Sequence, residues 1–273
     1  MKPRVGQWKK RIGVWGGAIS MSILLGTSSF CILPVQAMSS TEVLLPPLIQ
    51  TMTESDEYRG LLHLGMLDTQ ILAVESEESA YEAVHASIVK LNFGEIYGSG
   101  AILRMTEDKI LIVTCRHLLE YAPLTNKISV HFNDDTSLQG NVTYLSDQYD
   151  LGFVEVPIAQ VSIDILRELR QVALPPQGYT TKAGMRMFHV GSVGGVGKQW
   201  KTGVIENPWQ FFPEFNSFMM HNACEGKPGM SGGGVFDAYG HYIGMICGGL
   251  EQETASLPWS IIQAEMKGWY GFL

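Results

Sequence analysis

The chain has 273 residues and a formal charge of −8; 45% of its residues are hydrophobic and 17% are charged, as in folded globular proteins and unlike disordered ones. An acidic chain without a basic stripe is not expected to bind nucleic acid, whose phosphates require lysine and arginine surfaces. The sequence also lacks a phosphate-cradling glycine loop and the His/Cys spacing of a metal site, so we expect neither a cofactor nor a metal ion.

Residues 1–37 have the pattern of an export signal. Five cations precede an apolar run over about residues 12–34, and the VQA at residues 35–37 resembles a small-residue cleavage site. The run is also long enough to be an uncleaved membrane anchor, which would be the chain's only contact with a membrane. Both alternatives predict a secreted or cell-envelope protein. Cleavage would change the formal charge from −8 to −13, because residues 1–37 hold five cations and no acids.

Residues 38–78 mix acidic and apolar residues without clean periodicity. We interpret this segment as a pro-segment, a stalk or an N-terminal extension packed on the core, and the sequence leaves these alternatives open. Residues 79–87 predict one or two helical turns. From Ala86 onward, short apolar runs are separated by turn signals, which is typical of an all-β protein. Residues 79–273 are therefore assigned to the folded domain.

Two groups of short apolar runs predict β-strands. The first group covers residues 87–93, 98–104, 109–114, 127–132, 137–145 and 151–156. The second group covers residues 186–190, 201–205, 218–223, 233–236 and 242–247. Two sets of five or six strands indicate two small barrels, the first over about residues 86–157 and the second over about residues 180–257.

Two further segments have apolar residues at helical spacing. The connector between the barrels carries them at Ile165, Leu166, Leu169, Val172 and Ala173. Residues 258–270 predict a closing C-terminal helix, with one apolar face formed by Ile261, Ile262, Met266 and Trp269.

The stretch GKPGMSGGGVFD at residues 226–237 places five glycines and a proline around Ser231. A serine nucleophile requires a base to take its proton, a carboxylate to orient that base, and N–H donors for the oxyanion. His117, just past the apolar run at residues 110–115, is the candidate base. Asp150, at the mouth of the run at residues 151–156, is the candidate carboxylate. Each residue alone has an ordinary structural explanation at a strand end or turn, but the three together predict acyl-transfer chemistry.

Chain order distinguishes two classes of hydrolase. The GMSGG at residues 229–233 also satisfies the nucleophile-elbow pattern of the α/β-hydrolases, which requires the acid and the histidine downstream of the serine. Only 42 residues follow Ser231, too few for the remaining elements of that fold. The order His117, Asp150, Ser231 is instead that of the chymotrypsin-type arrangement.

Three blocks resemble the motifs of trypsin-like serine proteases: VTCRH at residues 113–117, DLGFV at 150–154 and GMSGG at 229–233. Within that superfamily the chain is most similar to the HtrA/Deg branch, through the segments at residues 98–103, 183–192 and 202–205. The resemblance runs from about Ala86 to the C-terminus. It implies two six-stranded antiparallel barrels of the chymotrypsin/trypsin type and a C-terminal helix. It also implies a serine endopeptidase that cleaves proteins or peptides through an acyl-enzyme.

The resemblance assigns roles to individual residues. Ser231 is the expected nucleophile, His117 the base and Asp150 its orienting acid. The amides of Gly229, Met230 and Ser231 are the oxyanion-hole candidates, with Gly229 and Ser231 favoured. Met230 stands where digestive trypsins carry the aspartate that pairs with a newly cut N-terminus, so activation by that salt bridge is not expected. No residues remain after position 273 for the PDZ domain of full-length HtrA proteins.

The substrate-pocket candidates are Glu225, Cys247, Gly248 and Gly249. Glu225 lies six residues before Ser231, where trypsins hold the acid that recognises arginine and lysine. The favoured alternative is that Glu225 faces solvent or pairs with Lys227.

Three cysteines follow residue 37: Cys115, Cys224 and Cys247. The odd number argues against a disulfide-built scaffold, and we predict no disulfide between Cys224 and Cys247.

One functional alternative stays open alongside the peptidase. In this alternative, the chain is a catalytically silent protease fold that serves as a binding or envelope-signalling module. The oligomeric state is open in both cases.

Overall fold

The computed structural model describes residues 58–59, 77–122, 126–132 and 136–271. The predictions for residues 1–37, and most of the segment at 38–78, lie outside these residues. Among the described helices, none has both the length and the hydropathy needed to span a bilayer.

The first barrel is a closed sheet of six antiparallel strands. They are β1 (Ile88–Asn92), β2 (Tyr97–Met105), β3 (Lys109–Thr114), β4 (Lys127–His131), β5 (Ser137–Leu145) and β6 (Gly152–Pro157). They pair in the order β1-β2-β3-β6-β5-β4, and β4 pairs back with β1.

The second barrel is also a closed sheet of six antiparallel strands. They are β7 (Arg186–Val193), β8 (Gly197–Phe212), β9 (Ser217–Ala223), β10 (Gly234–Asp237), β11 (Tyr242–Leu250) and β12 (Glu253–Pro258). They pair in the order β10-β11-β12-β9-β8-β7, and β10 closes on β7. The prediction of two six-stranded antiparallel barrels is confirmed.

Outside the barrels, the described residues include the helices α1 (Glu77–Val84), α2 (Arg116–Leu119), α3 (Ile163–Glu168) and α4 (Trp259–Tyr270). Short 3₁₀ turns follow α1 at His85–Ser87 and β6 at Ile158–Gln160. Helix α4 is the predicted C-terminal helix; it packs Ile261, Ile262 and Met266 inward. Trp269, placed on the same face by the sequence pattern, is instead 54% exposed and contacts the ring of Tyr144.

The connector helix is shorter than its apolar pattern predicts, because α3 ends at Glu168 and Leu169 is already extended. Val172 then donates its N–H to the carbonyl of Ile102 in the first barrel, at 2.9 Å. Ala173 forms a parallel bridge with His241 in the second barrel. The apolar residues at 172–173 therefore pack in extended chain between the barrels rather than on a helix face.

The second barrel differs from the sequence prediction in two strands. The predicted strand at residues 201–205 is the middle of β8, which pairs first with β7 and then with β9. Its register shifts between Asn207 and Gln210, around Pro208, and this interruption hides the strand in the sequence. The sequence pattern also missed β12, whose polar residues Thr254 and Ser256 are buried between β11 and β9.

Residues of the N-terminal segment contact the first barrel. The side chain of Tyr58 is fully buried in the core. Arg59 forms an ion pair with Asp108 at 2.9 Å and donates to the carbonyl of Glu107 at 3.2 Å, both in the β2–β3 turn.

Candidate active site

His117 and Asp150 form a pair with two contacts at one edge of the first barrel. The backbone N–H of His117 donates to Asp150 Oδ1 at 2.9 Å, and His117 Nδ1 lies 2.7 Å from Asp150 Oδ2. The side chains are 26% and 11% exposed, respectively. A neutral imidazole that donates from Nδ1 keeps the lone pair of Nε2 available as a proton acceptor.

The local chain explains this placement. Strand β3 ends at Thr114, Cys115 is extended, and the single turn of α2 then places His117 just beyond the strand. Asp150 precedes β6, whose Gly152 pairs with Thr114 at the end of β3. Because β3 and β6 are antiparallel neighbours, the end of one strand and the start of the other meet at the same edge of the barrel.

Ser231 lies in the loop before β10, in the second barrel. Its Oγ is 3.5 Å from the carbonyl oxygen of Cys247 on β11. The Sγ atom of Cys247 is 3.9 Å from the carbonyl oxygen of Asp150. Cys247 therefore contacts both the serine loop and the aspartate, and it brings elements of the two barrels together.

The N–H of Gly229 is directed away from the β7–β8 turn. Gly194, in the β7–β8 turn, donates its N–H to the carbonyl of Pro228 at 2.9 Å. In a planar trans peptide the C=O and the N–H point in opposite directions. Holding the Pro228 carbonyl toward Gly194 therefore turns the Gly229 N–H to the opposite side. Within the described residues this N–H donates to no protein acceptor.

The N–H of Ser231 is arranged in the same way. The carbonyl of Met230, in the same peptide unit, accepts the N–H of Gly233 at 2.9 Å. Among the described residues the Ser231 N–H has no protein acceptor either. Met230 differs, because its N–H donates to the carbonyl of Lys227 at 3.0 Å. Of the three oxyanion-hole candidates, Gly229 and Ser231 have available donors and Met230 does not.

Only glycine fits at position 229. Its φ is +93°, in the left-handed region. A Cβ atom there would lie 2.4 Å from the carbonyl oxygen of Ser192 and 2.9 Å from the nitrogen of Gly194. The close approach of the β7–β8 turn, which holds the Pro228 carbonyl, is thus incompatible with a side chain.

Ser99, on β2 of the first barrel, holds the serine loop from the other side. Its hydroxyl donates to the Gly229 carbonyl and accepts the Ser192 N–H, both at 2.7 Å. Its backbone N–H donates to the Ser231 carbonyl at 2.8 Å, and its own carbonyl accepts from the Thr114 hydroxyl at 2.7 Å. Sequence reasoning assigned no site role to Ser99. The Gly-Ser-Gly at residues 98–100 could have indicated this role, but the sequence analysis took it only as part of the resemblance to the HtrA/Deg branch.

The pocket candidates occupy different positions. The Glu225 carboxylate pairs with Lys201 at 2.9 Å and with Lys227 at 3.3 Å. The hydrogen bond from Lys201 and, with a smaller effect, the one from Lys227 lower the pKa of Glu225. The ion pair with Lys227 is the arrangement that the sequence analysis favoured. Gly248 is buried and Gly249 exposed, so only Gly249 presents backbone at the surface.

Cys115, Cys224 and Cys247 are buried and free, and no disulfide joins Cys224 to Cys247, as predicted. Burial raises the pKa of Cys115, Cys224 and Cys247, so these thiols stay protonated near neutral pH. The Cys115 Sγ donates to the carbonyl of Ile246 at 3.2 Å, across the barrel interface. Its role is packing between the barrels rather than nucleophilic chemistry.

Comparisons with known proteins agree with this architecture. A family model described as the trypsin-like peptidase domain matches residues 98–245, more than half of the chain. No curated protein matches significantly. The crystal structure of Rv3671c protease in an inactive form is 16% identical, with a TM-score of 0.56 over 69% of this chain and 91% of that one. A serine-to-alanine mutant of Rv3671c from M. tuberculosis H37Rv, also inactive, is 14% identical, with a TM-score of 0.56 over 72% and 96% of the chains. At these identities the likeness is one of fold.

Proposed function

The chain belongs to the trypsin-like peptidase family, and from that premise we propose that it is an exported serine endopeptidase with His117, Asp150 and Ser231 as its triad. The observation that carries the proposal is the serine loop: the carbonyls of Pro228 and Met230 are held by other N–H groups, and the N–H groups of Gly229 and Ser231 have no acceptor in the part of the chain that the structure describes. Unpaired donors beside a serine are what an oxyanion requires.

His117 acts as the general base. Its Nδ1–H is donated to Asp150, and Nε2 takes the proton of the Ser231 hydroxyl as Oγ bonds to the peptide carbonyl carbon. The Asp150 carboxylate stabilises the imidazolium that forms. The second contact of Asp150, to the His117 backbone N–H, fixes the carboxylate, so the ring keeps one orientation through the cycle.

The carbonyl oxygen gains its negative charge between the N–H groups of Gly229 and Ser231. The C–N bond of the substrate then breaks, and the imidazolium gives its proton to the leaving amine. Water repeats the sequence on the acyl-enzyme: His117 takes a proton from the water as the water oxygen bonds to the carbonyl carbon. The bond between that carbon and Ser231 Oγ then breaks, and the imidazolium gives its proton to Oγ. The hydrolysed substrate leaves with a carboxyl group and the triad returns to its starting state.

Cleavage after arginine or lysine is not expected. The Glu225 carboxylate pairs with Lys201 and Lys227, so its charge is already compensated. A fluorogenic peptide panel tests this point. A marked preference for arginine or lysine at the cleaved position would show that Glu225 leaves its lysine partners and lines the pocket.

Labelling with a fluorophosphonate probe tests the mechanism, because only an activated nucleophile reacts. We expect the full chain to be labelled, Ser231→Ala to remain unlabelled, and Ser260→Ala, which changes an exposed serine of α4, to be labelled like the unmodified protein. A folded chain that resists the probe would favour the alternative of a silent binding or envelope-signalling module. Labelling that persists in Ser231→Ala would overturn the assigned nucleophile.

The export proposal rests on residues 1–37 and has its own experiment. Fractionation of producing cells, followed by determination of the mature N-terminus, distinguishes cleavage after Ala37 from retention as an anchor. Full-length chain found only in the cytosol would contradict export in both forms.

A further inference from the structure

The hydroxyl of Ser99 is a polar group between the two barrels to which the proposed mechanism assigns no step. Ser99 belongs to β2 of the first barrel and is fully buried. Its side chain contacts two segments of the second barrel, the carbonyl of Gly229 in the serine loop and the N–H of Ser192 on β7, both at 2.7 Å. One hydroxyl of the first barrel therefore joins the loop before β10 to strand β7.

The chemistry of the groups determines the direction of both hydrogen bonds. A hydroxyl has one hydrogen to donate and accepts through its oxygen lone pairs. The Ser192 N–H can only donate, so it occupies a lone pair of Ser99 Oγ, and the Gly229 carbonyl can only accept, so it takes the hydrogen. Alanine at position 99 would leave the Gly229 carbonyl and the Ser192 N–H without this partner.

Gly229 needs contacts from other segments to keep one backbone orientation. Its lack of a Cβ and its φ of +93° permit rotation of the peptide units on both sides. The unit before it is held from the second barrel, because Gly194 donates to the Pro228 carbonyl at 2.9 Å. The unit after it is held from the first barrel, by the Ser99 hydroxyl. Together the two contacts fix the direction of the Gly229 N–H, which the proposed mechanism uses for the oxyanion.

The backbone of Ser99 adds two further contacts. Its N–H donates to the Ser231 carbonyl at 2.8 Å. Its carbonyl accepts the hydroxyl of Thr114, at the end of β3, at 2.7 Å. Gly232 permits this approach, since a Cβ there would overlap the Ser99 carbonyl oxygen. Ser99 thus connects the strand that leads to His117 with the carbonyls on both sides of the nucleophile loop.

We propose that Ser99 is a positioning residue for the oxyanion site, which keeps the Gly229 N–H available only while the two barrels are docked. The inference rests on the proposed function of this site. Met230, at the position of the activating aspartate of digestive trypsins, is fully buried and has no carboxylate to form an ion pair with an amino terminus. The contact that holds the loop here comes instead from a hydroxyl of the first barrel.

The rate at which a fluorophosphonate probe labels the full chain tests this role, because the phosphoryl oxygen of the probe takes the position of the substrate's carbonyl oxygen. Ser99→Ala should lower the maximal labelling rate at least about tenfold and change the half-saturating probe concentration less than about threefold. The pH midpoint of labelling should stay the same, since His117 and Asp150 are untouched. The control is Ser87→Ala, which removes an equally buried hydroxyl that donates to the Val84 carbonyl, also at 2.7 Å. It should be labelled like the unmodified chain.

Amide hydrogen exchange of the full chain gives a readout that does not depend on activity. The N–H groups of Met230 and Gly233 are bonded within the serine loop, so both should exchange faster in Ser99→Ala than in Ser87→Ala. A folded chain that the probe does not label would contradict the proposed function, and exchange then decides the role of Ser99 alone. Equal labelling rates of the two variants in an active chain, or equal exchange in a silent one, would overturn that role.

A second variant covers the case in which Ser99→Ala does not fold. Ser99→Cys keeps a side chain of similar shape whose thiol is a weaker donor. It should lower the maximal labelling rate at least about threefold relative to Ser87→Ala. An unchanged rate in folded Ser99→Cys would show that the loop does not depend on the strength of this bond.

Discussion

Asp150 and Asp237 each accept the backbone N–H and the ring Nδ1 of a histidine. In the first pair, with His117, the contacts are 2.9 and 2.7 Å; in the second, with His241, both are 2.9 Å. We call the first, which the proposed function uses, the catalytic pair, and the second the hairpin pair. The hairpin pair forms within four residues, between β10 and β11. The catalytic pair joins residues 33 positions apart and requires the first barrel to close.

Their surroundings separate the two pairs. Asp237 also accepts the N–H of Tyr239 at 2.9 Å and the hydroxyl of Tyr179 at 2.7 Å. With four donors and 2% exposure, this carboxylate is a structural clip that ties the inter-barrel connector to the β10–β11 hairpin. Burial, followed by the hydrogen bond to Asp237, raises the pKa of Tyr179, which therefore stays a donor.

The catalytic pair instead shares a neighbour, Cys247, with the serine loop, where two N–H groups have no protein acceptor among the described residues. The comparison teaches that the geometry of an aspartate–histidine pair does not by itself indicate catalysis. A nucleophile and unpaired donors must lie beside it.

The largest expected effect comes from the same substitution in both pairs. Asp150→Asn should lower kcat/KM by about 10⁴-fold, because the amide favours the wrong tautomer of His117. Asp237→Asn should leave kcat/KM within about threefold, since the hairpin pair touches no reacting group. Peptide hydrolysis measured on both folded variants checks the contrast. Equal losses would mean that the hairpin pair takes part in the chemistry.

The next-largest effect compares two glycines with a φ in the left-handed region: Gly229 in the serine loop and Gly240 near the hairpin pair. Gly229→Ala should lower kcat by about 10²–10³-fold, because a Cβ clashes with Ser192 and displaces an oxyanion donor. Gly240, near the hairpin pair, has a φ of +84°, but the nearest atom to its added Cβ is 3.6 Å away. Gly240→Ala should cost about 1–2 kcal/mol of stability and keep its activity. Unchanged kcat in Gly229→Ala would remove this amide from the mechanism.

The third effect is on stability. Asp237→Ala leaves the donors of His241, Tyr239 and Tyr179 without their acceptor, and it should lower the free energy of unfolding by about 3 kcal/mol. Urea denaturation measures this loss. Ser231→Ala is the control, since it removes one half-buried hydroxyl with a single long contact and should change stability little. A loss below about 0.5 kcal/mol in Asp237→Ala would contradict the stabilising role assigned to the Asp237 carboxylate.

The smallest expected effect tests one hydrogen bond of the Asp237 carboxylate, the one from the Tyr179 hydroxyl. Tyr179→Phe removes the hydroxyl that donates to Asp237 and should cost about 1–2 kcal/mol, in the range for a hydrogen bond to a charged group. Tyr239→Phe changes a 58% exposed ring in the same hairpin and should be neutral. Urea midpoints of the two variants separate them. Equal midpoints would show that Asp237 does not depend on the connector.

The observed strands of the first barrel agree closely with those predicted from the sequence. Apolar runs with turns between them are compatible with few other arrangements. Strand β3 begins and ends where the pattern predicts. Strands β8 and β12 did not follow it, since Pro208 interrupts one and the other is short and polar. Their pairing depends on neighbouring strands that are distant in sequence, which no local pattern records.

The site likewise has features that the sequence predicted and features that only the structure shows. The motifs alone pointed to His117, Asp150 and Ser231, because those side chains and the glycines near them are unusual in sequence. The backbone directions are not visible there. The direction of the Gly229 N–H, the inward Sγ of Cys247 and the role of Ser99 all depend on contacts between separate segments.

The sequence by itself determined which residues are chemically able to form a triad and in what order they occur, because residue type and spacing are local properties. Only the tertiary structure decided that Cys247 contacts both Asp150 and the serine loop, and which amides of that loop are available. The physical reason is that hydrogen-bond direction depends on groups brought together by barrel closure, far apart along the chain.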